Sequence, residues 1–150
     1  MTSPLEILGL ITPIVLIVGL GALLRRVGWL EERADPILMR LVVNILLPSL
    51  IFSVILGNPA LQKPGNLVLP PLIGFTGILL GYGLGGLGIR LLMPSRQPAE
   101  QRTFAFTVGI YNFGYFAIPL VLGLFGRETA GVLFVHNMGI DLALWGIGVP

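Results

Sequence analysis

The chain has 150 residues, of which 55% are hydrophobic and only 11% charged, and its mean hydropathy is +0.93. A soluble surface of this size needs more charge, about 25% being usual, and disorder needs low hydrophobicity with high net charge, so both are excluded. A net charge of +2 with no basic cluster beyond Arg25-Arg26 argues against nucleic-acid binding, and the absence of Cys removes disulfides, thiolate metal sites and Cys nucleophiles together. What remains is a multi-spanning membrane protein.

Runs with almost no charge predict five spans, at about residues 7–24, 37–57, 67–89, 103–126 and 129–149, within a single membrane domain over 1–150. A helix rises about 1.5 Å per residue, so roughly 20 residues cross a hydrocarbon core about 30 Å thick. Lipid cannot satisfy open backbone, so every span is expected to be helical, and the fold class is an all-α integral membrane protein. Span one lacks the basic leader of a cleaved signal peptide. Its positive charges, Arg25 and Arg26, follow the apolar run, as in a signal anchor.

Arg25, Arg26, Arg33 and Arg40 flank the first connection, and Arg90, Arg96 and Arg102 the third. The second has only Lys63 and the fourth only Arg127. This asymmetry predicts that connections one and three are cytoplasmic, with the N-terminus outside and residue 150 inside the cell membrane. Five spans with ends on opposite faces suit one repeat of an inverted-repeat transporter. The chain is therefore read as one half of such a molecule, or a truncated one, with the second inverted half not present in these residues.

Span two contains Asn44-Ile-Leu-Leu-Pro48, and Pro48 is expected to kink it by removing one helical bond and crowding the carbonyl of Asn44. Span three carries Gly77, Gly81 and Gly85 every four residues, a face for close helix packing. Its Gly81-Tyr-Gly83-Leu-Gly-Gly86 also fits a dinucleotide-binding pattern, which is rejected because no strand precedes it and no acidic residue follows at the expected offset. In span four, Tyr111-Asn112-Phe-Gly114-Tyr115-Phe-Ala-Ile-Pro119 is expected to break the helix at Pro119. Such a break is tolerated only beside protein or a water-filled cavity, and its half-helix ends suit ions and carboxylates. In span five, Asn137, Asp141 and Trp145 share a face at i, i+4 and i+8, bordered by His136. Asp141 is the only carboxylate within any span, and His136 the only histidine. Buried carboxylates are costly in a bilayer and usually face a cavity or a partner.

The stretch Tyr111-Asn112 through Ala117-Ile-Pro119-Leu to Gly126 resembles the proline-crossed fourth helix of the auxin efflux carrier family, and Asn44 through Phe52 is similar to its second. The His136–Trp145 stretch is similar to a family helix with polar residues at the positions of His136 and Asp141. The resemblance implies a fold like that of the bile-acid symporters, ten helices in two inverted five-helix repeats, of which this would be the N-terminal one. It implies a substrate site where two broken helices cross, beside an Asn that precedes each proline. One half-site maps here, onto Asn112 and the backbone around Pro119.

The function expected is that of a secondary active permease or efflux carrier for a small organic anion, a carboxylate. No phosphate-binding loop is present to drive a primary pump. Expected substrate contacts are Asn112, Tyr111, Tyr115, Pro119 and His136, and the expected coupling groups are Asp141 and His136, responding to H+ or Na+. No cofactor, metal site or nucleic-acid partner is expected. The expected partners are the carboxylate, the bilayer, a second inverted half in the same longer chain or a separate subunit, and, as a further option, a second copy. The alternatives are a non-transporting packing subunit, a truncated half-transporter or an intramembrane enzyme. One His and one intramembrane Asp offer little machinery for the last.

Overall fold

A computed structural model describes residues 4–148, all helix and connection, with no strand among them. Helix α1, Pro4–Arg26, carries no charge from Ile7 to Leu24 and ends on the basic pair Arg25-Arg26. A short 3-10 turn, Glu32–Ala34, leads into α2, Asp35–Leu41, whose Asp35 carboxylate pairs with Arg25 across the connection. A π turn, Val42–Leu46, joins α2 to α3, Leu47–Ile55, in one continuous helix. The kink expected at Pro48 takes this form. Leu47 donates to the carbonyl of Val42, giving a turn one residue wider directly before the proline. The wider turn gives the ring the room that a regular ladder denies it.

A second 3-10 turn, Pro59–Gln62, begins on Asn58, whose side chain accepts from the Ala60 N–H. Helix α4, Pro64–Leu92, then runs for 29 residues with Pro70 and Pro71 inside it. Helix α5 covers Pro98–Gly109, and α6 covers Ala117–Ala143, followed by a π turn at Leu144–Gly148. Inside α6, Gly126 has φ 79° and ψ −176°, so two helical pieces meet there at a residue type without a Cβ.

By length and composition four helices can cross a membrane: Ile7–Arg26, Glu32–Ile55, Pro64–Leu92 and Ala117–Gly148. The expected fourth span is divided. Its first part is α5, whose 12 residues extend only about 18 Å. Its remainder is a non-helical stretch and the start of α6, up to Gly126.

Helix α4 is the centre of the packing. A side chain on Gly74 would run into the backbone of His136, and one on Gly139 into the backbone of Pro71. Helices α4 and α6 therefore cross backbone to backbone. On the other flank, Gly81 lies against Gly109 and Gly85 against Ala105, so α5 is held just as closely. Gly77, the third member of this stripe, faces the Tyr111 hydroxyl instead. Two apolar clusters fill the remaining space. One joins Val54, Ile118, Ala130 and Phe134 between α3 and α6, and the other joins Ile78, Ile140, Ala143 and Leu144 under Phe106 and Phe113. The apolar side chains of α1 are mostly exposed, as a lipid-facing helix requires.

Candidate functional site

Between α5 and α6 the backbone leaves the helix at Ile110 and regains it at Ala117. The interruption therefore lies upstream of Pro119, which was expected to mark it. Pro119 is the third residue of α6, within its first turn; Ile118 and Leu120 on either side donate to the carbonyls of Gly114 and Phe116, so the proline leaves the Tyr115 carbonyl between them without a helical donor. The stretch opens well before it. Gly109 ends α5 against the backbone of Tyr82, and Gly114 loosens the stretch that follows.

An open backbone at membrane depth needs partners for its polar groups. Asn137, buried on α6, donates from Nδ2 to the carbonyl of Phe113 at 3.1 Å. Asn112 accepts the N–H of Phe116 on Oδ1 at 3.3 Å, and Ile118 donates to the carbonyl of Gly114 at 3.0 Å. Each side of the gap is thus tied, one end by its own asparagine and the middle by an asparagine of another element.

His136 extends the network. Its Nδ1 lies 3.3 Å from Asn137 Oδ1, and its Nε2 lies 3.5 Å from the Tyr111 hydroxyl. Asn137 spends an N–H on Phe113, so its oxygen is the acceptor facing His136. A neutral imidazole then carries its proton on Nδ1, and Nε2 receives the Tyr111 O–H. A chain Tyr111–His136–Asn137–Phe113 results, linking a hydroxyl, an imidazole and an amide to the unwound backbone. The same His136 lines an open groove of about 380 Å³ between α4 and α6, together with Asn66, Pro70, Ile73, Val121 and Thr129.

The other expected site residues stand further apart. Tyr115 is exposed and touches no part of this chain of hydrogen bonds among the described residues. Asp141 and Trp145 are exposed whereas Asn137 is buried, so the face they were expected to share splits into an inner and an outer part. Asp141 makes no side-chain hydrogen bond or ion pair among the described residues.

One polar group escaped the sequence reading. Asn58, only 8% exposed, donates to the carbonyls of Val54 and Glu128 at 2.8 and 3.0 Å. Nearby, Arg127 donates to the carbonyl of Ser53 at 2.7 Å. Together they fasten the end of α3 to α6 just after Gly126. The Gly57-Asn58-Pro59 sequence marks a capped turn, but nothing in it reveals the distant partner.

Long apolar helices, backbone-to-backbone crossings and a polar-lined interruption describe an all-helical, multi-pass membrane protein. The family described as membrane transport protein, the auxin efflux carrier family, matches residues 6–147, and the chain belongs to it. An uncharacterized transporter of Methanothermobacter thermautotrophicus is 31% identical over 140 residues, covering 91% of this chain and 44% of that protein. The chain thus spans less than half the length of that relative. No solved structure matches it.

Proposed function

We propose that the protein is a secondary active transporter of a small organic anion, a carboxylate, and that the unwound segment 110–116 supplies half of its substrate site. The observation that carries this reading is that segment itself, a non-helical stretch between two helices of an apolar chain with a polar network drawn up against it. Asn112 has its oxygen engaged by the Phe116 N–H. Its NH2 group is left as a donor pair suited to a carboxylate. Tyr111, Tyr115 and His136 add polar contacts, and the first turn of α6 around Pro119 adds the positive end of a helix dipole.

The remaining half-site belongs to a second, inverted repeat, carried by a longer polypeptide or by a separate subunit. The relative's greater length supports this. In this reading the five expected spans form one repeat, with α5, the unwound segment and the start of α6 making up a single broken span. Connections one and three face the cytoplasm and the N-terminus lies outside, as the Arg/Lys asymmetry favours. His136 and Asp141 couple transport to H+ or Na+.

The test is Asn112→Ala in the full-length protein, with labelled small carboxylates supplied to vesicles that contain it. Loss of a hydrogen bond to a charged group is worth about 1.5–3 kcal/mol, so affinity should fall roughly 10- to 150-fold while the melting temperature barely moves. Full binding by the variant would remove Asn112 from the site. A lost melting transition with unchanged flux per folded molecule would mark it as a packing residue instead.

A further inference from the structure

A second cavity, of about 170 Å³, lies between the end of α4 and the start of α5, and none of the site residues above lines it. Tyr82, Gly86 and Arg90 face it from α4, and Gln101, Arg102 and Ala105 from α5. The spacing i, i+4, i+8 puts the α4 trio on one stripe. Gly86 and Ala105 are small enough to leave a hollow where the helices meet. Arg90 and Arg102, both exposed, stand at its mouth.

Neither arginine is ion-paired among the described residues. Among the described residues the ion pairs are Arg25 with Asp35 and Arg96 with Glu100, the latter at 3.5 Å. Glu100, the acid closest in sequence to Arg102, is thus turned towards Arg96. Gln101 donates from Nε2 to the carbonyl of Arg96 at 3.1 Å and lies 3.4 Å from that of Pro94, tying the connection to the first turn of α5. The two guanidinium groups therefore frame a pocket whose rim is held by hydrogen bonds.

Paired guanidinium forks match the oxygens of a phosphate. The cavity is smaller than the roughly 300–1,000 Å³ typical of sites that enclose a whole organic ligand. It suits a head group whose remainder lies outside. Leu87 and Leu91 on α4 and Phe104 and Val108 on α5 are exposed apolar side chains on the same two helices. They offer a surface along which acyl chains can run. Basic pockets between membrane helices at the cytoplasmic surface take anionic head groups by the same physics.

We propose that the Arg90–Arg102 pocket binds the phosphate group of an anionic lipid at the membrane surface. Inorganic phosphate shares this chemistry, and the test separates the two sources. Native mass spectrometry of the full-length protein, titrated with phosphatidylglycerol, phosphatidylcholine or inorganic phosphate, reads occupancy directly. Phosphatidylglycerol should be retained over phosphatidylcholine. The Arg90→Gln/Arg102→Gln variant should weaken its binding at least about tenfold. Arg26→Gln, which removes a surface charge elsewhere, should leave binding unchanged. Binding of inorganic phosphate with the same arginine dependence, without preference between the two lipids, would keep the phosphate site and reassign its source. If the double Gln variant does not fold, Arg90→Lys/Arg102→Lys keeps the charge but loses the forks, and a several-fold loss is still expected. Equal loss in Arg26→Gln, or no loss in either double variant, would overturn the proposal.

Discussion

Two stretches of the chain place an asparagine ahead of a proline within a helix, and their outcomes differ. At Asn44-Ile-Leu-Leu-Pro48 the helix absorbs the proline with one π turn and continues to Ile55. From Asn112 to Pro119 the chain is out of the helix until Ala117. The proline alone cannot be the reason, since both stretches have one. What differs, besides Gly109 and Gly114, is the company. Asn44 is exposed and makes no side-chain hydrogen bond among the described residues, and the side-chain donor that reaches the turn is a neighbour in the same helix, Ser49 Oγ on the Ile45 carbonyl at 2.7 Å. Beside the second stretch, Asn137 meets the Phe113 carbonyl and His136 meets Tyr111. Unwinding in an apolar surrounding persists where outside partners replace the helical bonds, and a lone proline obtains only a local widening.

The largest effect should come from disturbing the crossing that presents those partners. Gly139→Ala places a Cβ against the Pro71 backbone, which has no flexible end to move aside. The cost should reach about 1–3 kcal/mol or more and should detach the network from the unwound segment. Gly83→Ala is the matched control, because a Cβ there meets nothing within 4 Å. Helix propensity alone then favours the substitution by up to about 1 kcal/mol. Melting temperatures of the two purified variants should therefore move in opposite directions. A shift of the same sign in both would mean that the crossing does not govern this region.

Removing one partner should have a smaller effect confined to the segment. Asn137→Ala leaves the Phe113 carbonyl without its donor, a loss of about 1–3 kcal/mol. Asn44→Ala should change stability by no more than about 0.5 kcal/mol, as an exposed group without partners predicts. Hydrogen exchange over 110–116 should accelerate in the first variant and stay unchanged in the second. Equal responses would remove the distinction drawn between the two stretches.

Much of the helical frame was legible in the sequence, for reasons that also mark where legibility stops. Long uncharged runs reveal α1 and α4 because lipid penalises charge along the whole length of a span. The interruption in span four is legible as a region, through Gly114 and Pro119, but its extent from Ile110 is not. Its actual supports are tertiary: Asn137 lies 24 residues from Phe113, and Asn58 lies 70 residues from Glu128. No local pattern announces such pairs. The shared face of Asn137, Asp141 and Trp145 was read from uniform helical spacing, but burial depends on which elements pack nearby. Here Asn137 is buried with its amide on the Phe113 carbonyl, Asp141 stays exposed, and the π turn at Leu144–Gly148 alters the spacing after Ala143.

The smallest expected effect is the most direct test of the comparison, because it exchanges the prolines themselves. Pro48→Ala restores an N–H that can donate to the Asn44 carbonyl, and the reason for the wide turn disappears. The turn should close to a regular helix, and the amide at position 48 should become slow to exchange. Pro119→Ala restores an N–H in the first turn of α6, downstream of the open segment. The hydrogen bonds of Asn112 and Asn137 remain in place, so residues 111–116 should stay as exchangeable as before. Stability should shift by less than about 1 kcal/mol, chiefly because alanine enlarges the unfolded ensemble. Substrate affinity should fall less than in Asn112→Ala, since the donors assigned to the carboxylate are untouched. If Pro119→Ala instead protected the amides of 112–116, the proline would be the cause of the interruption and the partners only its consequence.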